Sequence, residues 1–258
     1  MNELQIAQFP CLSDNYGFLL HDPVAGLTAT IDTPDAEAIG AELDRRQWQL
    51  THIFNTHHHA DHAGGNLALK EKTGCLIVGP RGDAGRIPGI DLGVGEGDLV
   101  PFGDRRIKVF ETPGHTTGHI VYFVPEAKAA FVGDTLFAMG CGRLFEGSPG
   151  QMWDSLQKIL RWPDDTRLYC AHEYTLDNAK FALTVEPNNM ALVSRAREVA
   201  RLRREGKPTV PTLLSLEKET NPFLRPTSPG LKQTIGLADS DDVSVFAQTR
   251  ALKDTFRG

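Results

Sequence analysis

The chain has 258 residues, 40% apolar and 23% charged, with a formal net charge of −6. This is the balance of an ordinary soluble globular protein, long enough for one large domain or a domain with an appendage. The negative charge gives no overall attraction for nucleic acid or an anionic membrane.

No apolar run approaches the length of a transmembrane helix. The stretch Met1-Asn2-Glu3-Leu4 lacks the basic segment and apolar core of a signal peptide. Cys11, Cys75, Cys141 and Cys170 show no C-x-x-C pairing, which reads as a reduced, cytoplasmic protein. A monomer is expected, with a small-molecule substrate and neither nucleic acid nor membrane as partner.

In chain order, residues 4–10 and 16–21 read as an opening hairpin around Ser13-Asp14-Asn15. Residues 27–31 are a third strand, ending at Asp32. Thr33-Pro34 then predicts a helix to about Gln47, with threonine as cap and proline in its first turn. Leu50 to Asn55, rich in apolar and β-branched residues, is a buried strand. It delivers His57-His58-His59-Ala60-Asp61-His62, which fits H-x-H-x-D-H. Asn66 to Lys72 is a short helix with Asn66 near its cap, and residues 76–79 are a strand. Residues 82–97, punctuated by glycines, read as an irregular connection.

Strand-like residues 106–110 and 120–124 flank Thr112-Pro113-Gly114-His115-Thr116-Thr117-Gly118-His119. Residues 129–132 deliver Gly133-Asp134-Thr135, and residues 166–170 deliver Ala171-His172-Glu173-Tyr174. Helical patterns cover 151–160, 176–185, 190–205 and 243–256. The change of texture sets a boundary near residue 173, giving one domain over 1–173 and a helical appendage over 174–258.

Neutral imidazoles and carboxylates are the usual nitrogen and oxygen ligands of zinc and related divalent ions. In extended chain His57 and His59 point one way and His58 the other. Asp61 and His62, after a turn, suit a second ion nearby. Five of nine histidines, His57, His59, His62, His115 and His172, fall just after a strand. The simplest division gives His57, His59 and His115 to one ion and Asp61, His62 and His172 to the other, with Asp134 bridging. Two divalent ions are expected, zinc first, with iron or manganese also suited to these donors. Asp134 and Asp61 are the candidate catalytic carboxylates. His21 and His52 read as packing or surface residues, His119 as standing behind a ligand, and Asp32 as a hydrogen-bond partner of one.

These motifs resemble the metallo-β-lactamase superfamily. The closer resemblance, over essentially the whole chain, is to the glyoxalase II (hydroxyacylglutathione hydrolase) family. It is carried by Asp14-Asn15-Tyr16, Gly133-Asp134-Thr135-Leu136-Phe137, the run Gly140 to Gly147, Ala171 to Thr175 and Asn221-Pro222-Phe223-Leu224-Arg225. The resemblance implies an α+β fold: an αββα sandwich with a C-terminal helical domain. It also implies hydrolysis of the thioester S-D-lactoylglutathione to D-lactate and glutathione, the second step of methylglyoxal detoxification, by a hydroxide bridging two ions. The family's glutathione-binding positions fall on Arg143, Phe145, Tyr174, Arg250 and Lys253. The better-known eukaryotic pattern has lysine and tyrosine where this chain has Arg143 and Phe145. Arginine keeps the charge, whereas phenylalanine drops a hydroxyl, worth on the order of 1 kcal/mol of hydrogen bonding.

The alternative is a glutathione-persulfide dioxygenase of the same superfamily, with a single iron. The long C-terminal region with Arg250 and Lys253 argues against it. A β-lactamase would be expected to carry an export signal, and a nuclease a basic surface. A non-catalytic metal protein would bind ions without turnover.

Overall fold

The computed structural model describes residues 3–258. Met1 and Asn2, half of the stretch read for a signal peptide, lie outside the described residues. The chain divides into two compact units, one formed by residues 1–111 and 116–133, the other by 112–115 and 134–258.

The first unit opens with β1 (Gln5–Cys11), β2 (Asn15–Asp22) and β3 (Leu27–Ile31). It continues through α1 (Ala36–Arg46), β4 (His52–Phe54), the single turn α2 (Ala60–Ala63) and α3 (Asn66–Thr73). Then come β5 (Leu76–Pro80) and β6 (Leu92–Val94). Last are β7 (Leu99–Phe102), β8 (Arg105–Glu111), β9 (Ile120–Val124) and β10 (Ala129–Gly133). One sheet has the order β1-β2-β3-β4-β5-β6, antiparallel at first and parallel from β3 onward. The other runs β10-β9-β8-β7, antiparallel throughout.

Alternation along the strands sorts their side chains into two layers. On one face of the first sheet, Leu19, Ile53 and Ile77 pack with Ile39 and Leu43 of α1 and Leu69 of α3. On the other face, Phe54 meets Phe102 and Tyr122 of the second sheet, and Phe18 meets Phe131. The buried Tyr122 hydroxyl donates to the Asn55 carbonyl at 2.9 Å, tying the second sheet to the strand end that carries the histidine loop.

One cap differs from the sequence reading. Asp35 caps α1, accepting from the Glu37 and Ala38 N–H groups, both at 3.0 Å. Thr33 is drawn away instead: its N–H donates to the His62 carbonyl and its hydroxyl to Asn66 Oδ1, both at 2.8 Å. Asn66, read as near the cap of its helix, is the first residue of α3 after Gly65, and its amide donates to Asn55 Oδ1 and the Pro88 carbonyl. The stretch read as wholly irregular contains β6, paired in parallel with β5.

The second unit contains the two-stranded β11 (Leu136–Phe137) and β12 (Gly140–Cys141), then α4 (Pro149–Leu160) and β13 (Arg167–Cys170). It ends with α5 (Thr175–Val185), α6 (Met190–Arg204), β14 (Thr212–Leu213), α7 (Leu214–Thr220), α8 (Pro229–Thr234) and α9 (Asp242–Thr255). Ser148 and Gln151 form a reciprocal capping box at α4. A buried polar network holds the β11–β12 turn. Arg195 of α6 pairs with Glu217 of α7, and Glu217 accepts from the Met139 N–H at 2.9 Å. Asn221 donates to the carbonyls of Phe137 and Gly140 at 3.1 and 3.0 Å.

Truncating Phe54, fully buried between the sheets, should cost roughly 3–5 kcal/mol by loss of contacts and formation of a cavity. The Phe54→Ala variant should melt several degrees below wild type. Glu42 tests acid sensitivity. Hydrogen bonds and charge from Arg45 and Arg46 hold its carboxyl down at about 2, against an ordinary 4.5. A depressed acid stabilises above its ordinary value and loses that contribution as pH falls toward 2. The melting deficit of Glu42→Gln should therefore be largest near neutral pH and shrink between pH 4.5 and pH 3.

Candidate metal centre

The histidine loop leaves the C-terminal end of β4, between two parallel neighbours, where α/β sheets expose unpaired backbone and place their sites. Asp32, at the end of β3, organises it. Its carboxylate accepts from the Thr56 N–H at 2.7 Å, the Thr56 hydroxyl at 2.8 Å and His62 Nδ1 at 2.8 Å. With Nδ1 held in this way, Nε2 is the nitrogen of His62 that could coordinate an ion. His57 Nδ1 lies 3.0 Å from the Thr56 hydroxyl, and its Nε2 lies 3.0 Å from His59 Nδ1. His57 and His62 are buried, whereas the Asp61 side chain is 40% exposed. Asn15 donates to Asp61 Oδ2 at 3.2 Å, which gives the opening Asp14-Asn15-Tyr16 run a local purpose.

His119 is fully buried, its ring stacked on that of His57 at 4.8 Å. His21 stacks on Trp48, and His52 packs beside Phe54 and Phe102. His58 faces Asp83 at 3.1 Å rather than its neighbouring histidines' donor atoms.

The second unit assembles His115, Asp134 and His172. Asp134 presents Oδ2 to His115 Nε2 at 3.4 Å and Oδ1 to His172 Nε2 at 3.5 Å, one oxygen to each ring. His115 Nδ1 is held by the Arg143 carbonyl at 2.8 Å. That contact needs Gly142, where a Cβ would stand 2.0 Å from the Asp134 carbonyl oxygen. The His172 ring lies parallel to that of Tyr174, centroids 4.7 Å apart. Between them Glu173 accepts from the Thr209 N–H at 2.8 Å and from the Thr209 hydroxyl, anchoring the segment to the loop after α6.

A cavity of about 450 Å³ in this unit is lined by His115, Asp134, Phe137, Tyr174 and all of the remaining predicted substrate residues: Arg143, Phe145, Arg250 and Lys253. Arg143 and Phe145 are largely exposed, with side-chain exposure of 63% for Arg143. Arg250 is only 5% exposed. It donates to the Cys141 carbonyl at 2.9 Å and to Asp254 at 2.9 Å, and lies over the Phe223 ring. Lys253 sits between the Phe181 and Phe256 rings. Burial, then the Arg250 charge, pushes its pKa below the ordinary lysine value, with Asp177 opposing.

Ligands about 2.0–2.2 Å from a tetrahedral ion stand roughly 3.3–3.5 Å from one another. Within each unit the donor pairs about Asp134, at 3.4 and 3.5 Å, and His62–Asp61, at 3.6 Å, lie close to that spacing, whereas His57 and His59 stand nearer, at 3.0 Å. Imidazole and carboxylate donors suit a divalent ion such as zinc, iron or manganese. Among the described residues the clustered donor groups contain no cysteine, and burial pushes the thiols of Cys11 and Cys170 up to about 12 and that of Cys141 up to about 11. Sequence reasoning missed Glu173, Phe137 and Phe256. Glu173 and Phe137 had a signal, their places inside the runs Ala171 to Thr175 and Gly133 to Phe137, and Phe256 had none.

Residues 30–172 match the metallo-beta-lactamase superfamily model, and residues 173–256 match the model for the hydroxyacylglutathione hydrolase C-terminus. A hydroxyacylglutathione hydrolase from Maricaulis maris is 56% identical, covering 99% of this chain and 100% of its own. One from Brucella anthropi is also 56% identical, covering 98% and 97%. Among solved structures, ETHE1 from Myxococcus xanthus superposes with a TM-score of 0.68 at 26% identity, covering 96% of this chain and 90% of its own. The expected αββα sandwich with a C-terminal helical region is thus the fold of this chain. The chain belongs to the hydroxyacylglutathione hydrolase family of the metallo-beta-lactamase superfamily.

Proposed function

We propose that this chain hydrolyses S-D-lactoylglutathione to D-lactate and glutathione. Family membership over the full length supports it, and one observation carries it to these residues. A single cavity is lined at once by the donors His115 and Asp134 and by the cations Arg143, Arg250 and Lys253. A glutathione thioester carries a carboxylate at each end of its tripeptide and its reactive carbonyl on the sulfur of the central cysteine, and a cavity that joins cations to metal-type donors complements both.

The proposed ion sites follow the donor chemistry: His57, His59 and His115 for one, Asp61, His62 and His172 for the other, and Asp134 for both. Zinc is the proposed metal. Divalent ions held there would supply Lewis acidity, making hydroxide available near neutral pH and drawing charge from the carbonyl. The protein's part is to fix the donors through Asp32, Thr56 and the Arg143 carbonyl, and to hold the substrate. Arg143 and Lys253 are the proposed partners of the glutathione carboxylates, with the Tyr174 and Phe145 rings along the peptide. Arg250 combines this role with bracing Cys141. A thiolate is a good leaving group, so no protein acid need protonate it.

We further propose that residues 1–173 form the catalytic domain and 174–258 the substrate-binding domain, and that the chain works as a cytoplasmic monomer with neither nucleic acid nor membrane as partner. Among the described residues no helix is long and apolar enough to cross a membrane.

Purified protein should turn over S-D-lactoylglutathione, lose activity to a chelator and regain it with zinc. Fully loaded protein without turnover would refute the proposal. Lys253→Ala should raise KM roughly 10- to 100-fold with kcat little changed, as loss of a charge-assisted hydrogen bond predicts. A loss confined to kcat would contradict the binding role.

A further inference from the structure

His58 is the one histidine of the loop that the proposed reaction does not use. Its side chain is 17% exposed and points away from the His57 and His59 donors into a closed triangle of hydrogen bonds. His58 Nδ1 lies 3.1 Å from Asp83 Oδ2, and the Arg86 guanidinium lies 2.5 Å from Asp83 Oδ1 and 3.2 Å from His58 Nε2. These distances suit a neutral ring that donates from Nδ1 and accepts at Nε2. The Asp83 side chain is 1% exposed, so its charge is matched inside the fold rather than by water.

The triangle also reaches the next loop. Arg86 lies 3.5 Å from the Thr117 hydroxyl. At Gly118 an added Cβ would stand 2.1 Å from Asp83 Cγ, so the 116–119 turn approaches this carboxylate as closely as a glycine permits. Three segments, 57–59, 81–86 and 117–118, therefore meet at one buried carboxylate.

Residues 57–59 lie in a loop outside any helix or strand, and His59 has an extended backbone, φ −59° and ψ 150°. Side chains at successive positions point to opposite sides, so rotation of the 57–59 backbone that moves His58 out of its contacts also turns His57 and His59. We infer that Asp83 is a positioning residue for metal: by holding His58 from behind, it fixes the angle at which His57 and His59 present their nitrogens. Asp32 secures the far end of the loop at His62, and Asp83 secures its start. The inference rests on the reading that this loop binds metal.

The test is a double-mutant cycle on the full chain with Asp83→Ala, His58→Ala and both together. Zinc affinity would be read by competition with a chromophoric chelator, and ligand geometry from the visible spectrum of the cobalt(II) form. Melting of the metal-free proteins separates general destabilisation. Each single variant should bind zinc roughly 10- to 100-fold more weakly, the scale for removing a ligand's hydrogen-bonded support, and shift the cobalt bands. The double variant should be no weaker than the weaker single one. Single variants that bind zinc like wild type, or effects that multiply in the double variant, would overturn the inference. His58→Ala removes a partly exposed group and keeps the test decisive should Asp83→Ala fold poorly. A wild-type chain that takes up no zinc would overturn the underlying metal reading as well.

Discussion

Asp32 accepts hydrogen bonds from the Thr56 backbone, the Thr56 hydroxyl and the His62 ring, and the shape of the histidine loop depends on these three contacts. The residue itself takes a left-handed backbone conformation, φ 57°, unusual for a side chain other than glycine or asparagine. That conformation costs on the order of 1–3 kcal/mol and persists because the carboxylate is so fully engaged. A hydrogen-bonded buried carboxylate sets both the tautomer and the orientation of an imidazole, so coordination requires little further ordering of the ring. The chain reuses the device with other atoms. The Arg143 carbonyl holds His115, and the Thr56 hydroxyl lies against His57 Nδ1.

What was legible in the sequence was chemistry that needs a fixed short spacing. His57, His59, Asp61 and His62 declare themselves because six consecutive residues rarely offer so many donors, and β4 before them declares itself by its apolar, β-branched run. His115, Asp134 and His172 were readable only as recurrences after strands. Features decided by distant partners were not readable. Thr33 has the composition of a helix cap, but a carbonyl and an amide of the histidine loop compete for it, and Asp35 caps the helix. The strand β6 is three residues with a glycine, too short for any periodicity, and exists because β5 offers it an edge. Arg250 and Lys253 were reached only through the family resemblance. Their unequal burial depends on Phe223, Phe181 and Phe256, which no local pattern ties to them.

The cavity shows how one arginine serves two ends. Arg250 braces the β12 carbonyl and an acid on its own helix, so part of its donor set is spent within the fold. Arg143 is exposed and comparatively unconstrained, and Lys253 is half enclosed by aromatic rings that screen its ammonium from water. The three cations thus span a range from rigid to adaptable. Rigid charge favours selectivity, whereas adaptable charge lets a flexible peptide be captured before it is fully aligned.

Cys141 lines the same cavity, into which the proposed reaction would release a free thiol. Burial holds its own sulfur almost entirely in the protonated form, despite the neighbouring Arg250 guanidinium. Thiol–disulfide exchange proceeds through the thiolate, so a protonated and enclosed sulfur is a poor partner for an oxidised tripeptide. At this wall of the cavity, a thiol-bearing molecule would meet a sulfur that is slow to form a mixed disulfide.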